Sequence, residues 1–419
     1  MPVPMRWRIG SLMFLGIAIV YIDRVNISYA IVPIAQELKI GTTDQALVLS
    51  AFAWGYVAFM LPGGWLADRF GAHRVCFWSC VGWSILTLLT AVTHTLTGLC
   101  VLRFLLGAAA APLFPSFAKT VRDIFPLQER GRATALFDAG SYVGIIVTSL
   151  LVAAVMVTWG WRTLYLMCAV LGLSWGALWY RSYKPVTHSS RSTSDVPSSS
   201  ARLAVPWINL LTNRKVWGAS CGFFCYNYLK SFYLTWLPTY LVAERGMSML
   251  KVGVIGVLPP LAGITGEFFA GFMTDRMLRS GVSVTVARKA PLCVGLVLSS
   301  IIMLVGSTES AVVVILLLCV SYASLIAGSP SIWAIPGDIA PNPSMVGFIG
   351  GIQNTISNTA GILAPVVTGF LFVRTGSFAI PMMVSGVLTL IGAGSYWWIV
   401  GELRPIGIRS AATSPKPAF

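Results

Sequence analysis

Charge is what this chain has least of. Of its 419 residues only 10% are Asp, Glu, Lys or Arg, against about 25% in a soluble domain. Hydrophobic residues make up 56%, and the mean hydropathy is +0.78. That shortage excludes a water-soluble fold and points to an integral membrane protein. Histidine is scarce as well: His73, His94 and His188 are scattered along the chain. No Cys or His stands at metal-ligand spacing and no nucleophile stands beside a base, so no enzyme activity, metal or cofactor is expected. The eight Cys (Cys76, Cys80, Cys100, Cys168, Cys221, Cys225, Cys293 and Cys319) all lie in apolar segments and read as small buried residues. Arg6 and Arg8 precede an apolar run that is too long for a secretory leader and lacks a small-residue cleavage site, so the first span reads as uncleaved.

Long apolar runs are what the chain has in quantity. Stretches of spanning length cover roughly 9–33, 46–67, 75–94, 97–119, 133–157 and 162–181, then 217–241, 252–274, 290–307, 311–334, 346–373 and 377–400. A helix needs about 20 apolar residues to cross a bilayer, so twelve crossings are expected. The Ser-rich interruption "YKPVTHSSRSTSDVPSSSARLAVPWINLLTNRK" reads as a cytoplasmic linker with one short surface helix near 205–213. With the N terminus in the cytoplasm, the 29 Lys and Arg divide into 21 cytoplasmic, five outside and three within spans. This is the positive-inside bias. The net charge of +15 is therefore a matter of topology, and no nucleic-acid partner is expected.

The chain also echoes itself. Gly64-x-x-x-Asp68-Arg69 recurs 207 residues later as Gly271-x-x-x-Asp275-Arg276. Each copy ends the second span of a six-span half. The expected organisation is an all-α membrane protein: residues 1–182 as one half, 183–215 as linker, 216–402 as the second half and 403–419 as a cytoplasmic tail. Both termini then lie in the cytoplasm.

Six charges stand inside the spans: Asp23, Arg24, Arg103, Asp138, Lys230 and Glu267. Each costs roughly 2.5–3.5 kcal/mol to insert, and such residues are functional by default. Asp23 and Arg24 point about 100° apart on a helix and need separate partners. Arg103 is the expected partner of Asp23. That leaves Arg24 to face a cavity, where a planar guanidinium can hold a carboxylate by two parallel hydrogen bonds. Lys230 is a second cavity cation, a structural tie to Glu267, or a charge that snorkels toward an interface. Asp138, near the cytoplasmic mouth, and Glu267 are further candidate proton sites. Asp68 and Asp275, with Arg69, Arg74 and Arg276, are expected to cap span ends and hold one access state.

The signature "GGWLADRFGAHRV" resembles the loop between spans 2 and 3 of the major facilitator transporters. "YIDRVNIS", "RFLLGAAAAPLFPS", "ERGRATALF", "FYLTWLPTYLVAERGMS" and "GDIAP…VGFIGGIQNTISNTAGILAPVVTGF" resemble the anion:cation symporter branch of that superfamily, which carries galactonate, hexuronate and glucarate. The resemblance covers nearly the whole chain. It implies two six-helix halves and uptake of a small organic anion with H+ across the inner (plasma) membrane by a monomer in the lipid bilayer. It implies that Arg24 and Tyr56 bind the carboxylate, that Asn354 and Ser141 meet substrate hydroxyls, and that Asp23 carries a proton coupled to Arg103. Asn227 and Tyr228 fall at matching places, and Trp236 reads as packing near the outer gate. One departure stands out: the branch has an acid seven positions after the span 4 Arg, and here that position is Ala110. The alternative is thus an uncoupled uniporter or an anion exchanger for aromatic acids or dicarboxylates.

Overall fold

The computed structural model describes residues 5–126, 129–182, 210–342 and 345–407. Linker residues 183–209, with His188 and most of the helix expected near 205–213, lie outside the described residues, as does the tail from residue 408. Among the described residues the chain is helical, without strands.

Ten described stretches are long and apolar enough to cross a membrane. One of them, Arg132–Ser182, runs 51 residues, about 76 Å of helix against a hydrocarbon core of about 30 Å. It breaks at Gly160, whose φ of 80° is open chiefly to glycine, and so forms two spans. The segment Arg214–Thr235, continued by Leu237–Ala243, falls short on apolarity because Asn227, Lys230 and several hydroxyl-bearing residues interrupt it. Counting both, twelve spans are found among the described residues. Spans 1–4 are Met5–Leu38, Thr42–Phe70, Ala72–Ala91 and Leu96–Ile124, and spans 5 and 6 are the parts of Arg132–Ser182 before and after Gly160. Span 7 is Arg214–Ala243, and spans 8–12 are Met249–Arg279, Val284–Ser307, Ala311–Ile339, Val346–Thr375 and Ala379–Val400.

The packing repeats as the sequence echo does. Span 1 packs on span 5 as span 7 packs on span 11, and span 2 packs on span 4 as span 8 packs on span 10. Small residues set these approaches, since lipid supplies no hydrophobic drive between helices. A Cβ at Gly55 would strike the Phe104 carbonyl, and one at Gly107 would strike the Phe52 carbonyl, so spans 2 and 4 meet backbone to backbone. Gly107→Val is expected to lower the detergent melting temperature of the purified protein markedly, since overpacking costs about 1–3 kcal/mol or more where backbone cannot yield. An unchanged melting curve would contradict this close approach.

The halves meet at the end that carries the loop between spans 1 and 2. There a Cβ on Gly369 of span 11 would lie 2.6 Å from the Cβ of Ala46 on span 2, and one on Gly253 of span 8 would lie 2.8 Å from that of Ala153 on span 5. Tyr29 and Ser149 share a hydrogen bond of 2.7 Å beside Gly256. At the opposite end the ion pairs stay within a half: Arg6–Glu129 at 2.8 Å, Lys119–Asp68 at 3.1 Å and Arg288–Asp338 at 3.6 Å. One end of the molecule is thus closed between halves, and a cavity lies between them near mid-span.

Candidate functional site

Two helices of the second half present polar stripes of the same spacing to this cavity. Phe223, Tyr226, Asn227 and Lys230 follow one another at three, four and seven residues along span 7; Asn354, Ser357, Asn358 and Gly361 do so along span 11. That is one face of an α-helix. The first half contributes Tyr21 and Arg24 from span 1, Tyr56 from span 2, and Asp138, Ser141 and Tyr142 from span 5. Ser329 and Trp333 of span 10 complete the wall. The cavity encloses about 810 Å³ of empty space, counted with the solvent at its mouth.

Arg24 sits in an aromatic cage. Its guanidinium carbon lies 5.6 Å from the Tyr21 ring centre, 5.2 Å from Phe52 and 5.6 Å from Tyr56. Cation–π attraction holds the group by its faces. Its N–H donors take no hydrogen bond or ion pair from any described residue, so they remain available to the cavity.

Asp23 turns the other way, into the first half, and is 2% exposed. Neither carboxylate oxygen has a hydrogen-bond partner within bonding distance among the described residues; the buried, equally unpartnered Thr87 hydroxyl and the Arg103 charge act on it. The side-chain pair expected between Asp23 and Arg103 does not form. Arg103 instead donates to the main-chain carbonyls of Asp23 at 3.2 Å and Arg24 at 3.4 Å, with its guanidinium carbon 5.2 Å from the Phe52 ring centre. A buried guanidinium has five donors to satisfy, and two adjacent carbonyls fit its fork. Arg103 therefore grips span 1 by its backbone and makes no ion pair with the carboxylate.

The other expected residues divide. Tyr56, Ser141, Asn227, Lys230 and Asn354 reach the cavity with Arg24. Asn354 also touches across the halves, its amide 3.7 Å from the Met60 sulfur, and pairs with Asn358 at 2.9 Å. Tyr228 does not reach it: one residue past Asn227, it is rotated off the stripe and packs with Ala360 and Ala364. Asp138 lines the cavity as well. Glu267 stands off the wall, near Tyr142, and makes no ion pair with Lys230 within 4 Å. Trp236 is fully buried and donates to the Pro365 carbonyl at 3.2 Å, a packing contact.

At the span 2 terminus, Lys119 bonds the Asp68 carboxylate at 3.1 Å and the Ala67 carbonyl at 3.0 Å. Arg69 lies over Trp65 at 5.2 Å, and Arg74 is exposed. Asp275 and Arg276, the echo of Asp68 and Arg69, are exposed and without an ion pair among the described residues.

A polar cavity between two six-helix halves, sealed at one end, defines a secondary transporter that works by alternating access. The chain belongs to the Major Facilitator Superfamily, whose profile matches residues 13–365. It is 32% identical over 425 residues to "Probable galactarate/D-glucarate transporter GarP" of Escherichia coli K12, with 95% of each chain covered. It is 34% identical to "Probable sulfoacetate transporter SauU" of Cupriavidus necator, covering 93% of this chain and 92% of that one. It is 30% identical to the D-galactonate transporter of Escherichia coli O6:H1, covering 94% and 96%. Among solved structures, a bacterial homolog of the human lysosomal transporter Spinster, inward-facing and unoccupied, matches with a TM-score of 0.80 at 15% identity over 96% of this chain and 98% of that chain. This last likeness concerns the fold alone.

Proposed function

We propose that this transporter brings small organic acids of the sugar-acid kind into the cell together with protons. The observation that carries the reading is the Arg24 guanidinium, caged by three rings with its donors open to the cavity. A substrate carboxylate takes those donors as a fork, assisted by Tyr56. Asn354, Asn358, Asn227 and Ser141 offer amides and hydroxyls to a hydroxylated chain. The names borne by the relatives, galactarate/glucarate, galactonate and sulfoacetate transporters, support an acid of this size.

Asp23 is the proton carrier in this reading. Arg103 bonds both to the carbonyl of Asp23 and to that of Arg24, so a change of charge at Asp23 is felt by the element that holds the substrate. The bias of Lys and Arg supports cytoplasmic termini in an inner membrane, which makes the sealed end the outer one. Residues 1–182 and 216–402 rock about the cavity within a monomer, and the Asp68–Lys119 pair, with Arg69 and Arg74 beside it, belongs to the gate at the cytoplasmic end. The corresponding Asp275 and Arg276 act there when that end closes.

Ala110 favours a second reading. It is buried in span 4, where an acid would stand in the branch that the chain resembles, and without that acid the carrier runs as a uniporter or exchanger. A calorimetric panel of galactarate, glucarate, galactonate, sulfoacetate and benzoate on the purified full chain tests the substrate class. Heat of binding is expected from the hydroxylated acids and sulfoacetate; binding of benzoate alone would overturn the proposal.

A further inference from the structure

The cavity holds two cations, and they come from opposite halves: Arg24 on span 1 and Lys230 on span 7. The Lys230 ammonium lies 6.0 Å from the Tyr226 ring centre and makes no hydrogen bond or ion pair with any described residue. An ammonium has three donors to fill, and at membrane depth its charge needs compensation. Two acids stand near it, neither within ion-pair distance. Asp138, on span 5 of the first half, shares the cavity wall and feels the Lys230 charge. Glu267, on span 8, is the second acid and stands off the cavity wall. The result is a cation on the cavity wall whose donors are open. A plain structural tie would have used those donors, as Lys289 uses its own on the Trp397 and Gly401 carbonyls at 2.9 and 2.7 Å.

We propose that Lys230 is a second anion subsite, that it makes this carrier prefer substrates with an acid group at each end, and that Asp138 and Glu267 hold its charge in the empty cavity and yield it to the substrate's second acid group. The proposal rests on the reading of Arg24 as the receptor of the first group. A diacid bridges the halves, with one end on span 1 and the other on span 7. A monoacid engages Arg24 and leaves Lys230 to its two carboxylates. Discrimination between the two then comes from a full charge pair formed at one end, which an uncharged group cannot replace.

Galactarate and galactonate are the probes, because they share a six-carbon hydroxylated chain and differ in one terminal group, carboxylate against CH₂OH. Binding to the detergent-purified full chain is measured by calorimetry. Wild type is expected to bind galactarate about 10- to 100-fold more tightly. In Lys230→Met galactarate falls to the level of galactonate, while galactonate stays within about twofold; in Lys230→Arg the preference returns. Asp138→Asn releases Lys230, so galactarate tightens and galactonate does not. Equal affinities for the two acids in wild type would overturn the proposal without any variant. Equal losses of both acids in Lys230→Met would overturn it as well, by making Lys230 a general or structural charge. Weaker galactarate binding in Asp138→Asn would remove the holding role of Asp138. Arg24→Lys separates the two readings: it weakens both acids if the Arg24 reading holds, and if it weakens neither, that reading fails while the Lys230 contrast is decided by its own variants.

Discussion

Arg24→Lys is expected to cost about 10- to 100-fold in affinity for the carried acid, and Arg24→Ala more, while both variants remain folded. The charge survives in the Lys variant; the planar fork does not. A hydrogen bond to a charged partner contributes about 1.5–3 kcal/mol, and every 1.4 kcal/mol is about tenfold in affinity. The cage should persist in neither variant, since an ammonium is compact and strongly hydrated and cannot lie flat among Tyr21, Phe52 and Tyr56 as the guanidinium does. Calorimetry with galactarate checks this. Wild-type affinity in Arg24→Lys would show that the substrate sits elsewhere.

Asp23→Asn is expected to abolish accumulation against a gradient and to spare exchange of internal for external substrate. The carboxylate is 2% exposed and has no described hydrogen-bond partner at bonding distance, so an amide of the same shape replaces its protonated form without leaving a charge uncompensated. Arg103 keeps its grip on span 1, because it holds the main chain and not the side chain. With the proton carrier gone, accumulation driven by a pH gradient falls to a ratio of about one, from about tenfold per pH unit for each coupled proton. Counterflow proceeds, since it needs the cavity and the rocking halves alone. An Asn variant that still concentrates substrate would move the proton to another group, with Asp138 and Glu267 the next to be tested.

Much of this was legible before any coordinates. The apolar runs are long, the Lys and Arg alternate from side to side, and the Asp68-Arg69 motif returns as Asp275-Arg276; bilayer thickness and insertion cost leave little freedom in how such a chain is read. Arg24 and Lys230 were legible as charges where charge is expensive, and Tyr56 and Asn354 through the family resemblance; all four line the cavity. The misses have physical causes as well. The resemblance points to Tyr228 as well as Asn227, but adjacent helical residues diverge by about 100°, and the stripe runs through Tyr226, Asn227 and Lys230 instead. Tyr226, Ser357 and Asn358 carry no charge, so nothing drew attention to them except their spacing, which repeats that of span 7. The target of Arg103 was not legible at all. A guanidinium that bonds to carbonyls leaves no mark on the sequence of the helix it grips, because every residue has a carbonyl.

The central claim is that a proton gradient drives an organic acid through this cavity. The measurement is uptake of labelled galactarate into proteoliposomes that contain the full chain, with voltage clamped at zero by potassium and valinomycin and the interior made alkaline by one pH unit. Internal galactarate is expected to rise to at least about ten times the external concentration and to fall back when the pH gradient is collapsed. Equilibration to equal concentrations, at the same rate with and without the gradient, would contradict it and leave the uncoupled carrier suggested by Ala110.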